Sequence, residues 1–458
     1  MRGCGDIMKD IYNLGLNEFP GMSFQCDCGR VHTVDIKNIL IGKNNLVALG
    51  ELLKDFIGKE IFIVEDKNTY EAAGSKVEKL LKRDFKIKKF IFKDEHLIPD
   101  EKALGRMLVE IPENTAVIVA VGSGSINDIA RFLSYKLNIP YVVVCTAPSM
   151  DGYASVVSPL VVDNVKTTYS AVYPYAIIGD IEIMKKAPMY MLHAGFGDIL
   201  GKYTALADWH LAQELKNEYF CEPVEKLVLK AVDKCVKASE KIKDRDTEAI
   251  ESITEALILS GMAIGMTGTS RPASGEEHHL SHCWEMVFMN AGKETKWLHG
   301  NNVGVGVGII LEAYKYVSQL DIDKVYSLGN YKYLSNENWR KTLTEVYGRS
   351  AENIINSKEN DIAFGVELRE KNMKKIKDHW NNIKDICSSL PSPEAVKAIM
   401  EKSETIYDPS ELGIDRELFK MSFMAAKDVR RRYGVLQLLE DIGMLEEASE
   451  VITKIYYK

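Results

Sequence analysis

Thr115-Ala-Val-Ile-Val-Ala-Val-Gly-Ser-Gly-Ser-Ile126 decides how the rest of the chain reads. A continuous run of β-branched and small apolar residues fits a strand buried on both faces. Gly122-Ser123-Gly124-Ser125 follows at once, and helical spacing then runs from Ile126 to Leu137. Glycines let backbone approach a phosphate closely, and a helix N-terminus offers unpaired N–H groups and the positive end of its dipole. The loop is therefore a candidate pyrophosphate cradle. It departs from the usual dinucleotide fingerprint, because Asn127 stands where the third glycine would be. An ordinary Gly-rich turn fits the same residues.

Outward from this stretch, strands and helices alternate. Lys59 to Glu65, Phe85 to Phe92 and Tyr141 to Cys145 read as strands, with helical spacing at Thr69 to Lys82 and Ala103 to Glu110. Such alternation predicts parallel pairing in an open, doubly wound sheet. Beyond about residue 190, long helical patterns take over: Leu200 to Glu214, Val224 to Lys243, Thr247 to Met266 and Val303 to Val317. A chain of 458 residues exceeds what one core usually serves. The expected architecture is an α/β Rossmann-like nucleotide-binding domain over 1–190, with 1–35 an N-terminal extension or hairpin. An all-α domain over 191–458 is expected to bind metal and substrate.

Two more loops support a nucleotide site. Thr146-Ala147-Pro148-Ser149 follows the Tyr141 to Cys145 strand, so its hydroxyls lie at the carboxyl end, where open α/β sheets bind ligands. Asp66 ends the Lys59 to Glu65 strand, where a carboxylate can accept both ribose hydroxyls and repel a 2′-phosphate. It precedes the glycines instead of following them, which signals a different strand order. A helix N-cap is the competing reading for Asp66.

Four of the nine histidines fall between 278 and 299. In Glu276-Glu277-His278-His279-Leu-Ser-His282, His278 and His282 share one helical face. His299 lies in Leu298-His299-Gly300, before a Gly-rich helix. Two histidines from separate segments need one carboxylate for a three-ligand site with an open position. Asp198, within Gly195-Phe-Gly197-Asp198, is the best candidate. Mixed nitrogen and oxygen ligands suit zinc, nickel or ferrous iron. Acids and histidines on a solvated helical surface are the alternative.

The formal net charge of −8 argues against a nucleic-acid partner. Charges interrupt the apolar residues of the N-terminus, which excludes a signal peptide, and the best apolar run, Thr115 to Val121, is strand-sized, so no membrane span is expected. Eight cysteines in a chain of this size point to reduced thiols and a cytoplasmic protein. Cys26-Asp-Cys28-Gly-Arg-Val-His32 offers three metal-type ligands with no fourth nearby. A Gly-bearing turn in a short hairpin is the preferred reading.

GSGSINDIARF, TAPSMDGYAS, GFGDILGKYTALADW, SRPASGEEHHLSH and LHG occur in this order. Together they resemble the sn-glycerol-1-phosphate dehydrogenases of the bacterial type, within the iron-dependent alcohol dehydrogenase and dehydroquinate synthase superfamily. The resemblance is strong over about residues 40 to 310. It implies a Rossmann-like domain, a helical domain and an active site in the cleft between them. The implied reaction is NAD- or NADP-linked interconversion of dihydroxyacetone phosphate and sn-glycerol 1-phosphate, with one divalent metal acting as a Lewis acid. It implies Asp198, His278 and His299 as metal ligands. It implies nucleotide contacts from Asp66, Gly122, Ser123, Gly124, Ser125, Ile126, Thr146, Ala147, Pro148, Ser149 and Ser155. Asp151 and His282 would contact substrate, and a homo-oligomer is expected. His279 duplicates a histidine beside the proposed ligand, residues 291–296 lengthen the segment before His299, and the helices beyond 390 extend the chain. A dehydrogenase of glycerol or another polyol stays open, as does a cyclising lyase that uses NAD transiently. Arg271 and Lys202 flank the metal motifs as candidates for a phosphate pocket, and surface charge is the alternative for each.

Overall fold

The computed structural model describes residues 11–163, 165–293, 295–328, 335–358 and 366–457. Cys4 lies outside them. The chain forms two compact units. One runs through Val162 and adds Lys166–Ile199 and Cys221–Pro272. The other holds Asp163–Val165, Leu200–Phe220 and Ala273–Lys458. A single division at residue 190 was the expectation; the contacts instead group 221–272 with the sheet.

In the first unit, β1 (Ser23–Gln25) and β2 (Val31–Thr33) pair antiparallel as a hairpin. The main sheet contains β3 (Asn38–Gly42), β4 (Glu60–Asp66), β5 (Lys86–Phe92), β6 (Thr115–Gly122) and β7 (Tyr141–Cys145). A small hairpin follows, β8 (Val157–Val162) and β9 (Val165–Ser170), and then the last sheet strand, β10 (Ala176–Asp180). The order across the sheet is β3-β10-β7-β6-β4-β5, and every pair is parallel. The four predicted strands are present; β3 and β10 are additional.

Helices α1 (Ser75–Leu81), α2 (Glu101–Glu110) and α3 (Gly124–Leu137) connect the strands. Ile61 and Ile63 of β4, Val117, Val119 and Val121 of β6, and Val142 and Val144 of β7 form one core with Val77 and Leu81 of α1. Strands β4 and β6 are neighbours, paired Ile63 to Val119 and Val64 to Ala120. From β4 the chain continues to β5 on one side, and from β6 to β7 on the other. The connections thus diverge between Asp66 and Gly122, and a ligand crevice belongs at such a switch point.

Helix α4 (Met189–Lys216) gives its first residues to this unit and the remainder to the other. Helices α5 (Glu222–Ala238) and α6 (Thr247–Thr267) complete the first unit. By length and composition α6 could cross a membrane, although 78% of its most apolar window is buried, as in the core helix of a folded domain. It is longer than the strand-sized run that stood out in the sequence. The second unit is helical. It is built on α7 (Glu276–Asn290) and α8 (His299–Gln319), whose Trp284 and Tyr314 share a core with Trp339, Leu438 and Leu439.

Candidate active site

The nucleotide side starts at the carboxyl end of β6. A Cβ on Gly122 would lie 2.6 Å from the Cβ of Ile126, so only glycine lets the strand end pass under the first turn of α3. Ser123 is the N-cap and makes no capping hydrogen bond through its side chain. The first-turn N–H groups around Gly124, Ser125 and Ile126 are thus not taken by the cap, which is the arrangement an anionic diphosphate requires. Beside them the Thr146 N–H donates to the Gly122 carbonyl at 3.2 Å. Thr146, Ala147, Ser149 and Ser155 are all buried, as is Pro148. The Tyr153 hydroxyl holds the Ala147 carbonyl at 2.6 Å. Asp66 is the N-cap of a short helix, its Oδ1 accepting from the Thr69 N–H at 2.8 Å. The capping role is therefore real, and Asp66 ends β4 two residues beyond the Val64–Ala120 pair, as Gly122 ends β6.

Asp151 and Asp198 come together within the same unit. The Asp151 N–H donates to Asp198 Oδ2 at 3.0 Å, and the Ser260 hydroxyl of α6 donates to Asp151 Oδ2 at 2.9 Å. Asp198 itself is fully buried on α4. Two glycines permit this. A Cβ on Gly195 would collide with the Pro148 carbonyl oxygen, and one on Gly261 would lie 2.6 Å from the Asp151 carbonyl oxygen. Arg131 of α3 is buried and ties the loop from the other side. Its guanidinium donates to the carbonyls of Gly152 and Val157 and to Asp128. Burial pushes the Asp128 carboxyl up to about 6 despite the adjacent guanidinium.

The second unit brings three histidines together. Ring centroids of His278 and His299 are 5.1 Å apart, as are those of His282 and His299. His278 Nδ1 is 2.7 Å from Glu277 Oε1, and His299 Nδ1 is 2.6 Å from Glu285 Oε1 and 3.0 Å from the Ser281 hydroxyl. The imidazoles of His278 and His299 therefore each have Nδ1 engaged by a carboxylate, which fixes the tautomer that offers Nε2 to a metal. Two imidazoles bound through Nε2 at about 2.1 Å would have centroids about 4.6–5.3 Å apart for ligand angles from octahedral to tetrahedral. The observed spacing fits one ion shared by His299 with His278, and equally with His282; the Glu277 carboxylate on Nδ1 is what favours His278. Burial opposes charge on Glu277, but hydrogen bonds from His278, Thr204 and the Gly275 N–H outweigh it and hold its carboxyl below its usual value.

Arg131, Ser260, Glu277 and Glu285 were not singled out in the sequence. Glu277 and Glu285 had a legible signal, being acids within one helix of the histidines; Arg131 and Ser260 had none. Lys202 and Arg271 are both buried, so neither is a surface charge. Lys202 Nζ donates to the Ala273 carbonyl at 2.9 Å within the second unit, while Arg271 belongs to the first.

A parallel sheet with a glycine cradle at its switch point, and a helical unit carrying carboxylate-oriented histidines, define a nucleotide-linked metal dehydrogenase. Residues 40–188 match the family model for iron-containing alcohol dehydrogenase. The solved glycerol dehydrogenase from Schizosaccharomyces pombe is similar in fold, with a TM-score of 0.59 at 15% identity over 91% of this chain and 90% of that one. A glycerol-1-phosphate dehydrogenase [NAD(P)+] from Geobacillus thermodenitrificans is 32% identical over 95% of this chain and 100% of its own length. Another of the same name, from Halalkalibacterium halodurans, is 37% identical over 69% of this chain and 80% of its own. The chain belongs to the glycerol-1-phosphate dehydrogenase family, whose members are NAD(P)-linked oxidoreductases.

Proposed function

We propose that the chain interconverts dihydroxyacetone phosphate and sn-glycerol 1-phosphate, using NAD or NADP and one divalent ion, zinc, nickel or iron. The observation that carries this is family membership along nearly the whole chain, joined to two imidazoles whose Nδ1 atoms are held by Glu277 and Glu285. In this reading Asp198, His278 and His299 hold the ion. The ion would supply Lewis acidity at the substrate oxygen. The cofactor supplies the hydride, and the protein supplies orientation.

The first-turn N–H groups of α3 bind the cofactor's diphosphate, and Thr146 to Ser149 with Ser155 line the nicotinamide side. Asp66 accepts the adenosine ribose hydroxyls, so NAD is used at least as well as NADP. Asp151 binds a substrate hydroxyl, oriented by Ser260, and His282 takes or returns the alcohol proton. The same reading makes the enzyme a cytoplasmic homo-oligomer.

His299→Ala tests the ligand set. The variant is expected to lose turnover of dihydroxyacetone phosphate with NADH and to carry one metal ion fewer per chain, with unchanged far-ultraviolet circular dichroism. Normal turnover with undiminished metal content would refute it.

A further inference from the structure

The N-terminal hairpin carries a cluster that has no part in the dehydrogenase site. Cys26, Cys28 and His32 come from the hairpin, and Cys221 comes from the start of α5, 189 residues beyond His32. Their ligand atoms all lie within 4.8 Å of one another. Among the described residues, no other group of histidine, cysteine and acidic side chains is gathered so closely. All four belong to the first unit.

Three of the six edges fit those of a tetrahedron around one ion. Cys26 Sγ is 3.7 Å from Cys221 Sγ. That is far longer than the roughly 2.05 Å of a disulfide. It matches the edge of about 3.75 Å between two sulfurs each about 2.3 Å from one zinc ion. His32 Nε2 is 3.4 Å from Cys28 Sγ and 3.3 Å from Cys221 Sγ. The corresponding sulfur–nitrogen edge around zinc is about 3.6 Å.

The imidazole is prepared for this role. His32 Nδ1 is 2.6 Å from the Met266 carbonyl near the end of α6, so Nδ1 carries the proton and Nε2 presents its lone pair to the three sulfurs. The local fold is built to bring the ligands round. Gly29 has φ +85 and its N–H donates to the Cys26 carbonyl, while the Cys26 N–H donates to the Arg30 carbonyl. Cys221 is the N-cap of α5, so the start of that helix carries the fourth ligand. Cys26, His32 and Cys221 are buried.

We infer that Cys26, Cys28, His32 and Cys221 form a Cys₃His zinc site, separate from the dehydrogenase metal, which fastens the hairpin to helices α5 and α6. With four protein ligands the shell is closed and leaves no position for substrate, as in structural zinc sites. The task is mechanical. Arg30 reinforces the attachment, its Nη1 donating to the Thr267 carbonyl at 3.2 Å. Helix α6, gripped at its end through Met266, carries Ser260 and Gly261 against Asp151. Zinc here thus steadies the helix behind the substrate loop.

The test separates the two metals. Full-length His278→Ala/His299→Ala protein, purified without chelator, is expected to retain one zinc per chain, and adding Cys221→Ser should remove it. Cobalt loaded in place of zinc should show strong thiolate-to-metal charge-transfer absorption in the wild-type chain, weakened in Cys28→Ser and lost when Cys26 and Cys221 are also replaced by Ser. That signature needs cysteine ligands, which the dehydrogenase metal does not have, so its outcome is independent of the proposed function. A metal-free double variant, or cobalt-loaded protein without the thiolate band, would overturn the inference. So would mass spectrometry of fresh protein showing Cys26 and Cys221 joined as a disulfide.

Discussion

Glu285 shows how much a residue outside the ligand set decides. Its carboxylate sits 2.6 Å from His299 Nδ1 and also accepts from the Ser281 hydroxyl. Replacing it by Gln keeps the shape but removes the charge that raises imidazole basicity. Losing such a partner typically weakens metal binding about 10–100-fold, and Glu285→Gln is expected to do so in competition with a chromogenic chelator. Unchanged affinity would mean that Glu285 does not orient His299. Glu65 makes a different case. It is buried at the end of β4, where the missing side chain of Gly74 makes room for it, and burial pushes its carboxyl up to about 7. The folded state therefore binds this proton more tightly than the unfolded chain does. Stability is lost as pH rises from the ordinary carboxyl range through about 7 and then levels off. Glu65→Gln should be nearly neutral in acid and stabilising by up to about 3 kcal/mol above neutrality. Denaturant melts across pH would show it, and equal shifts at both ends would contradict it. The histidines stood out in the sequence because four of the nine cluster between 278 and 299, and Asp198 because it follows Gly195-Phe-Gly197. Arg131 and Ser260 did not, since a buried arginine reads like a solvated one until its carbonyl partners are known.

At the scale of elements, the Thr146 to Asp151 loop depends on helices approaching without side chains. Alanine in a helix interior normally gains about 1 kcal/mol over glycine. Gly195→Ala should do the reverse, because its Cβ would strike the Pro148 carbonyl, which is backbone and cannot rotate away. We expect a loss of about 1–3 kcal/mol in stability, together with weaker cofactor binding as the Thr146 to Ser149 loop shifts. A stabilised Gly195→Ala protein with normal cofactor affinity would remove this explanation. The strands beside the loop show what the sequence could and could not reveal. Strands β4 to β7 were legible because each carries an unbroken or alternating apolar run. Strand β10 is buried throughout yet offers only Ala176-Ile-Ile before Gly179. A Cβ on that glycine would lie 2.7 Å from Cδ1 of Ile41 on β3, a side-chain end that would have to move aside. A short run ending in glycine looks like a turn until its neighbours are placed. Cys221 was illegible for another reason: no spacing rule links a hairpin ligand to one 189 residues away.

At the scale of the whole molecule, the two kinds of unit were foreseen from the change of pattern near residue 190. The return of 221–272 to the sheet-bearing unit was not. Helices α5 and α6 have the same periodicity as those that follow, and only tertiary contacts assign them. What joins the scales is the proposed reaction, hydride exchange between a cofactor on the Gly122 cradle and a substrate at an ion that Asp198, His278 and His299 would hold. A ketone whose oxygen and phosphate are both fixed presents one face to the nicotinamide, so the reaction must be enantioselective. The decisive measurement is NAD-linked oxidation of sn-glycerol 1-phosphate, sn-glycerol 3-phosphate and free glycerol, side by side, by metal-replete enzyme. The account predicts rapid NADH formation from the sn-1 enantiomer and little from the other two. Faster oxidation of free glycerol, or activity on the sn-3 enantiomer alone, would contradict it.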